Sequence, residues 1–176
     1  SDATNGSITI DGQLATYLPN LNYNGPDEFT FQVSDGELTD NASVSLFVNA
    51  VNDAPILTAI DDITFSEDNV YSLNLEAIDY DGDILSYSVE GGNLISTSIN
   101  NGTLFFDPAD NFFGIESFVV TASDGELSDI QIIVVSVLSV NDAPVSNDSV
   151  IDMNEDEITT IVLDAFDVDG APLAYT

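Results

Sequence analysis

Apolar and polar side chains alternate along much of this sequence with a period of two. Tyr71, Leu73, Leu75 and Ala77 are separated by Ser72, Asn74 and Glu76, and Thr159, Ile161, Leu163 and Ala165 repeat the pattern 88 residues later. Leu85, Tyr87 and Val89 behave likewise, as do Phe118, Val120 and Ala122. Successive strand side chains point to opposite faces, so each run predicts a strand with one face in a core. Asp81-Gly82, Asn101-Gly102 and Asp124-Gly125 punctuate the runs as turn signals. Asp bonds its own backbone there, and Gly accepts positive φ. No stretch sustains a helical period. One strand differs between its two occurrences. Ala42, Val44, Leu46 and Val48 alternate with Ser43 and Ser45, but Ile132 and Val134 replace those serines further along. That outer face is either covered by its own loops or makes a lateral contact with another chain.

The pattern repeats as a block. Ser-Asp-Gly-Glu-Leu at 34–38 returns at 123–127, and Val-Asn-Asp-Ala-Pro at 51–55 returns at 140–144, both displaced by 89. Glu67-Asp68 returns as Glu155-Asp156, and the Ala77–Gly82 segment as Ala165–Gly170, displaced by 88. Self-similarity at a fixed period marks a repeat architecture. Residues 54–142 form one complete repeat, residues 1–53 the C-terminal half of another, and residues 143–176 the N-terminal half of the next. Thr176 joined to Ser1 reads as a continuous strand, turn and strand, so the two halves are complementary. Either a window has been cut from a tandem array with a period of two repeats, or separate chains associate end to end, each completing the other's split domain. About seven short strands per repeat predict an all-β fold of tandem antiparallel Greek-key β-sandwiches. The Asn-Asp-Ala-Pro linker is short and stiff, which predicts domains standing end to end.

Charge removes whole classes of function. The 176 residues include 32 Asp and Glu and no Lys, Arg or His, giving a formal charge of -32. Nucleic acid and anionic membranes need basic partners, so neither is expected. A hydrophobic content of 44% still supports a packed core rather than disorder. Without Cys there is no disulfide, zinc-thiolate site or thiol nucleophile. Without His or Lys, the Ser-His and Cys-His pairs of nucleophilic catalysis are absent. Paired carboxylates alone could still hydrolyse a glycoside, but no pocket-forming insertion interrupts either repeat, so no enzyme is expected. No run of 18 apolar residues and no charged-then-apolar leader is present, which reads as a soluble fragment or mature segment.

The acids are not evenly spread. Asp79-x-Asp81-x-Asp83 follows a strand end, and a turn there points several oxygens inward. Calcium takes 6 to 8 hard oxygen ligands, which Asp, Glu and Asn supply without nitrogen or sulfur. Asp167 and Asp169 repeat the first two positions, but Ala171 replaces the third, so Asp83 is expected to be peripheral.

The order Glu-Asp, Ala-x-Asp-x-Asp-Gly, Leu-x-Tyr, Asn-Phe-x-Gly-x-x-Ser-Phe, Ser-Asp-Gly, Val-Asn-Asp-Ala-Pro resembles bacterial tandem cadherin-like (Ig-like sandwich) repeats of large surface adhesins and RTX-type proteins. That resemblance implies calcium between successive domains. It assigns Asn52 and Asp53 as linker ligands, Asp79 and Asp81 as the next domain's Asp-x-Asp, and Asp124 as its late-strand acid. Glu67 would serve the following junction with Asn141, Asp142, Asp167 and Asp169. Glu155 repeats Glu67, and Asp35 takes the late-strand role in its own repeat. Ala50 and Ser139 stand where cadherin linkers carry a further Asp. The middle-strand acidic motif is matched only loosely by Asp107, Asp110 and Glu116, with Leu18, Leu21 and Asp27 in the first half-repeat. Fewer ions per junction than in animal cadherins follow.

The expected role is an extracellular, calcium-rigidified repeat of an adhesin, a fibre or a filament subunit. Its partners would be adjacent copies of the same repeat, with lateral association through Ile132 and Val134. The alternative is a calcium-dependent carbohydrate-binding module using Tyr17, Tyr23, Phe112 and Phe113, positions that the resemblance assigns to core or corner aromatics. Asn5, Asn41, Asn101 and Asn147 open Asn-x-Ser/Thr sequences.

Overall fold

The computed structural model describes residues 2–176, which form strands and turns with no helix among the described residues. Within residues 1–53 β1 (Gly6–Asp11) pairs antiparallel with β2 (Leu14–Pro19), and β3 (Gly25–Ser34) with β4 (Thr39–Val48). Within residues 54–142 lie β5 (Ile56–Leu57), β6 (Ile63–Ser66), β7 (Tyr71–Asn74), β8 (Ala77–Ile78) and β9 (Ser86–Gly91). These are followed by β10 (Ile95–Asn100), β11 (Thr103–Pro108), β12 (Gly114–Ser123) and β13 (Ser128–Leu138). One sheet has the order β6-β13-β12-β9, another the order β10-β11-β7, and β5 pairs with β8. The protein is an all-β sandwich.

The alternation builds the core as the sequence predicts. Phe118, Val120 and Ala122 of β12 have no exposed surface, nor do Ile133 and Val135 of β13 or Leu104 and Phe106 of β11. Phe106 meets Phe118 edge-on, with ring centroids 5.1 Å apart and planes at 74°, a favoured arrangement for ring quadrupoles. On the outer face of β13, Ile132 is exposed.

Two features depart from the sequence-based expectation. First, the sheets are not wholly antiparallel: β6 runs parallel to β13, with Ile63 opposite Val135 and Ser66 opposite Leu138. The opening strand of the repeat is broken, pairing antiparallel with β8 at Ile56–Leu57 before it resumes as β6. The Asp129, Gln131 and Asp62 side chains accept the amides of Leu57, Ile60 and Val134, each at 2.9 Å. Side chains thus accept backbone amides around the break in the strand. Second, the alternating run Thr159–Ala165 is not a full strand. Residues 143–176 contain only β14 (Val145–Ser146) and β15 (Ala165–Phe166), paired with each other. The counterpart of this run, β7, is held by β11. No counterpart of β11 lies within 143–176, so the backbone there has the pattern of a strand without a neighbour to bond.

The chain packs as two compact units. One comprises Ser1–Thr58, Glu76–Ser86 and Thr121–Asp129, and the other Ala59–Leu75, Tyr87–Val120 and Ile130–Thr176. Each contains one Asn-Asp-Ala-Pro linker together with the acidic loops around it.

Candidate metal centre

At the first linker, the Asp-x-Asp-Gly turn is shaped by one carboxylate oxygen. Asp79 Oδ1 accepts the amides of Asp81 at 2.9 Å, Gly82 at 3.0 Å and Asp83 at 3.2 Å. Gly82 makes the turn possible at φ +79°, a region that costs side-chain-bearing residues strain. The second oxygen, Asp79 Oδ2, is buried with no hydrogen-bond partner among the described residues. Asp81 Oδ2 accepts the Asp53 amide at 2.7 Å. Asn52 Nδ2 donates to Asp124 Oδ2 at 2.8 Å, while Asp124 Oδ1 accepts the Glu126 and Leu127 amides at 2.7 Å each. The Leu127 and Glu126 amides, with the Asn52 amide after them, hold the Asp124 carboxyl below its usual range. Asn52, Asp53, Asp79, Asp81 and Asp124 therefore gather around one linker. Asp83, expected to be peripheral, is exposed, and oxygens of Asp79, Asp81 and Asp83 lie within 4.8 Å of one another.

The second linker repeats this with one addition. Asp169 Oδ2 accepts the Asp142 amide at 2.7 Å, and Asp167 Oδ1 accepts the amides of Asp169 and Ala171 at 3.1 Å each. Glu67 enters at the end of β6 and is only 1% exposed. Its amide donates to the Leu138 carbonyl at 2.9 Å and its Oε1 accepts the Val140 amide at 2.7 Å. Its Oε2, like Asp142 Oδ2, is buried with no hydrogen-bond partner among the described residues. Carboxylate oxygens of Glu67, Asp142 and Asp169 lie within 4.8 Å of one another. Burial first, and then the charges of Asp68, Asp169, Glu67 and Asp167, push the Asp142 carboxyl above its usual range. Asn141 Nδ2 donates to the Asp142 carbonyl at 2.9 Å.

A buried carboxylate oxygen without a donor is costly, and like charges this close repel. The sequence contains no Lys, Arg or His to offset them. A hard divalent cation resolves both problems, and an all-oxygen donor set suits calcium.

The remaining acids do other work. Asp35 Oδ1 accepts the Glu37 and Leu38 amides at 2.9 and 2.8 Å, so it caps its turn, and the Leu38 and Glu37 amides draw its carboxyl down. Glu155 is exposed and lies outside both clusters, although Asp156 after it repeats the +63° φ of Asp68. Glu116 belongs to neither junction, since it accepts the amides of Asn93, Leu94 and Ile95 at 3.0 Å. Asp27, 89 residues earlier, accepts the Thr4 and Asn5 amides at 3.1 and 3.0 Å and the Tyr17 hydroxyl at 2.9 Å. Both are loop fasteners, and their equivalent positions in the two repeats were the signal for it. Asp107 and Asp110 are exposed. Of the aromatics, Tyr17 is committed to Asp27, the Tyr23 hydroxyl donates to the Pro26 carbonyl at 2.5 Å, Phe112 lies against Gly114, and Phe113 is exposed.

Residues 52–136 match the family model of a bacterial Ig domain, and residues 1–49 that of a cadherin-like domain. No curated protein matches the chain. Among solved structures it is similar to human protocadherin-24 EC1-2 at 17% identity, with 79% of this chain and 78% of that chain covered and a TM-score of 0.49. It is also similar to Drosophila N-cadherin EC1-3, at 12% identity, with 77% and 51% covered and a TM-score of 0.44. An endo-fucoidan hydrolase from glycoside hydrolase family 107 matches at 19% identity over 78% of this chain, with a TM-score of 0.40. The chain spans 22–26% of the length of the fucoidan hydrolases it matches.

Proposed function

We propose that this chain, a run of bacterial Ig-like and cadherin-like repeats, is a calcium-rigidified structural segment of a long extracellular adhesin or fibre. The observation that carries this reading is Glu67, a 1% exposed carboxylate with one oxygen unpartnered and with Asp142 and Asp169 within 4.8 Å. Calcium would be held at one linker by Glu67, Asp142, Asp167 and Asp169, and at the other by Asp53, Asp79, Asp81 and Asp83, with Asn52 and Asp124 fixing the linker backbone. Without an ion these acids push their loops apart. With one, the loops and the linker are tied together, so the repeat resists bending.

Binding to the folded form alone stabilises it by mass action, about 2.7 kcal/mol for each site at a hundredfold excess over Kd. The role is mechanical rather than catalytic, and Ile132, apolar and exposed, is the position for lateral contact between fibres. The test is thermal melting and small-angle scattering in EDTA and across a calcium titration. The melting temperature should climb with calcium and the particle should become more extended and uniform. Identical melting and dimensions in both conditions refute the reading.

A further inference from the structure

We propose that the Glu67 site is a latch on β6: a cation held there keeps this short strand on the edge of its sheet, and loss of the cation lets the strand open and uncover β13. On this inference, which rests on the calcium reading above, the ion controls one element of the fold as well as the linker. Every residue involved lies between positions 60 and 171.

β6 is lightly held. It stands at the edge of the sheet β6-β13-β12-β9 and has four residues against the eleven of β13. Its ladder is parallel and covers only Val135–Leu138 of that longer strand, and parallel pairing is slightly the weaker kind per residue. Side chains extend the hold at both ends. Where the strand enters, Asp62 Oδ1 accepts the Val134 amide and Gln131 Oε1 accepts the Ile60 amide, each at 2.9 Å. Where it leaves, the Glu67 amide donates to the Leu138 carbonyl at 2.9 Å and Glu67 Oε1 accepts the Val140 amide at 2.7 Å.

The two ends differ in what surrounds their acids. Asp62 is exposed, so water screens its charge in place. Glu67 is 1% exposed, its Oε2 has no hydrogen-bond partner among the described residues, and carboxylate oxygens of Asp142 and Asp169 lie within 4.8 Å. A buried charge facing two like charges must meet either a cation or water. The aspartates are tied to their own backbone: Asp169 Oδ2 accepts the Asp142 amide at 2.7 Å, and Asp167 Oδ1 accepts the amides of Asp169 and Ala171 at 3.1 Å each. Glu67 follows a four-residue edge strand, so it is the group that yields. It reaches water only by lifting the end of β6 from Leu138 and Val140. Ile63, 5% exposed, and Phe65, stacked on Tyr71 with ring centroids 5.4 Å apart, oppose that movement. The opening is therefore a local, transient excursion, whose population the cation lowers by binding only the closed form. While it lasts, β13 presents an unpaired edge, the feature through which sheets join other strands. The cation guards that edge.

Native-state hydrogen exchange of the 176-residue chain, followed by NMR in EDTA and across a calcium titration, tests the latch. In EDTA the amides of residues 63–67 and of Val140 should exchange at least about tenfold faster than those of Phe118 and Val120 in the core of β12. Calcium should slow them in proportion to its concentration, by about a hundredfold at a hundredfold excess over Kd. Glu67→Gln should slow them about fivefold or more in EDTA and abolish the calcium response. Asp169→Asn, which removes one facing charge and keeps an acceptor for the Asp142 amide, should act in the same direction. Calcium that raises the melting temperature and protects Val140 and Asp142 while leaving residues 63–66 unchanged overturns the latch and leaves the calcium reading standing. Residues 63–67 as slow as Phe118 in EDTA overturn it too. Calcium without effect on either melting or exchange removes the calcium reading and the latch with it.

Discussion

Replacing Glu67 by Gln separates the two roles of this carboxylate. The side chain keeps its shape, and Oε1 can still accept the Val140 amide, now at 2.7 Å. The change falls on the other atom. Oε2 is a buried acceptor with no donor among the described residues, whereas the amide nitrogen replacing it donates toward Asp142 and Asp169, which lie within 4.8 Å. Leaving a buried polar group unmatched costs about 1–3 kcal/mol, and more for a charged one. In EDTA the variant should therefore be more stable than the parent by about that amount, or roughly 2–12 °C in melting temperature for a chain of this length. In calcium the order reverses. The parent gains about 2.7 kcal/mol from this site at a hundredfold excess over Kd, and the variant loses that increment. Calorimetric melts of both proteins in EDTA and in calcium should cross. A variant that melts below the parent in EDTA, or that keeps the whole calcium increment, refutes the reasoning.

Other expectations follow from the same geometry. Glu116→Ala removes the acceptor of three amides at residues 93–95, so urea unfolding should shift by roughly 1.5–3 kcal/mol, with faster hydrogen exchange confined to that turn. Phe118→Ala empties a fully buried site and breaks the edge-on pair with Phe106, and the urea midpoint should fall by an amount equivalent to about 3–5 kcal/mol. Burial disfavours the Asp27 anion, but the Tyr17 hydroxyl and the amides of Asn5, Glu28 and Thr4 outweigh it and pull its carboxyl down. The folded pKa is the lower one, so the stability it supplies is present above pH about 3.8 and is lost as pH falls through the lowered value. Acid unfolding of Asp27→Asn should lack that component. Burial, and then Asp27, push the Tyr17 hydroxyl up to about 12. Its contribution is present below pH about 10 and lost as pH rises towards 12. Ultraviolet titration of the phenols should show one late-ionising tyrosine, which Asp27→Asn moves to lower pH.

Strand faces were legible because alternation is a local property: Phe118, Val120 and Ala122 were assigned to a core and are buried. Pairing was not, because a strand is completed by a neighbour that alternation does not name. Thr159–Ala165 and Tyr71–Ala77 share one pattern, but only the second has β11 beside it. The parallel β6–β13 ladder was hidden for the same reason. At the junctions, spacing singled out Asp79, Asp81, Asp167 and Asp169, and each pair shares one turn in the structure because the Asp-x-Asp-Gly turn is built within five residues. Asp83, expected to be peripheral by comparison with Ala171, is exposed, and its carboxylate comes within 4.8 Å of those of Asp79 and Asp81 because it follows in the same turn.

The role of Glu116 was left open by the sequence for a different reason. An acid in a calcium motif and an acid bonded to a row of backbone amides look alike in sequence, and only their donors distinguish them. Comparison of the two repeats supplies that distinction. Tyr17 stands where Phe106 does and Asp27 where Glu116 does. The longer Glu116 reaches three amides at the β9–β10 turn unaided, while the shorter Asp27 takes the Thr4, Asn5 and Glu28 amides and fills its remaining capacity with the Tyr17 hydroxyl. A lost methylene is matched by a gained hydroxyl across two strands, which is the pattern of a packed fastening rather than of an ion site. The junction acids are the converse: Glu67, Asp79 and Asp142 each keep a buried oxygen that no donor among the described residues meets. In a chain with 32 acids and no base, that unmet demand separates acids whose capacity is filled by backbone amides from acids that keep an oxygen a cation could take.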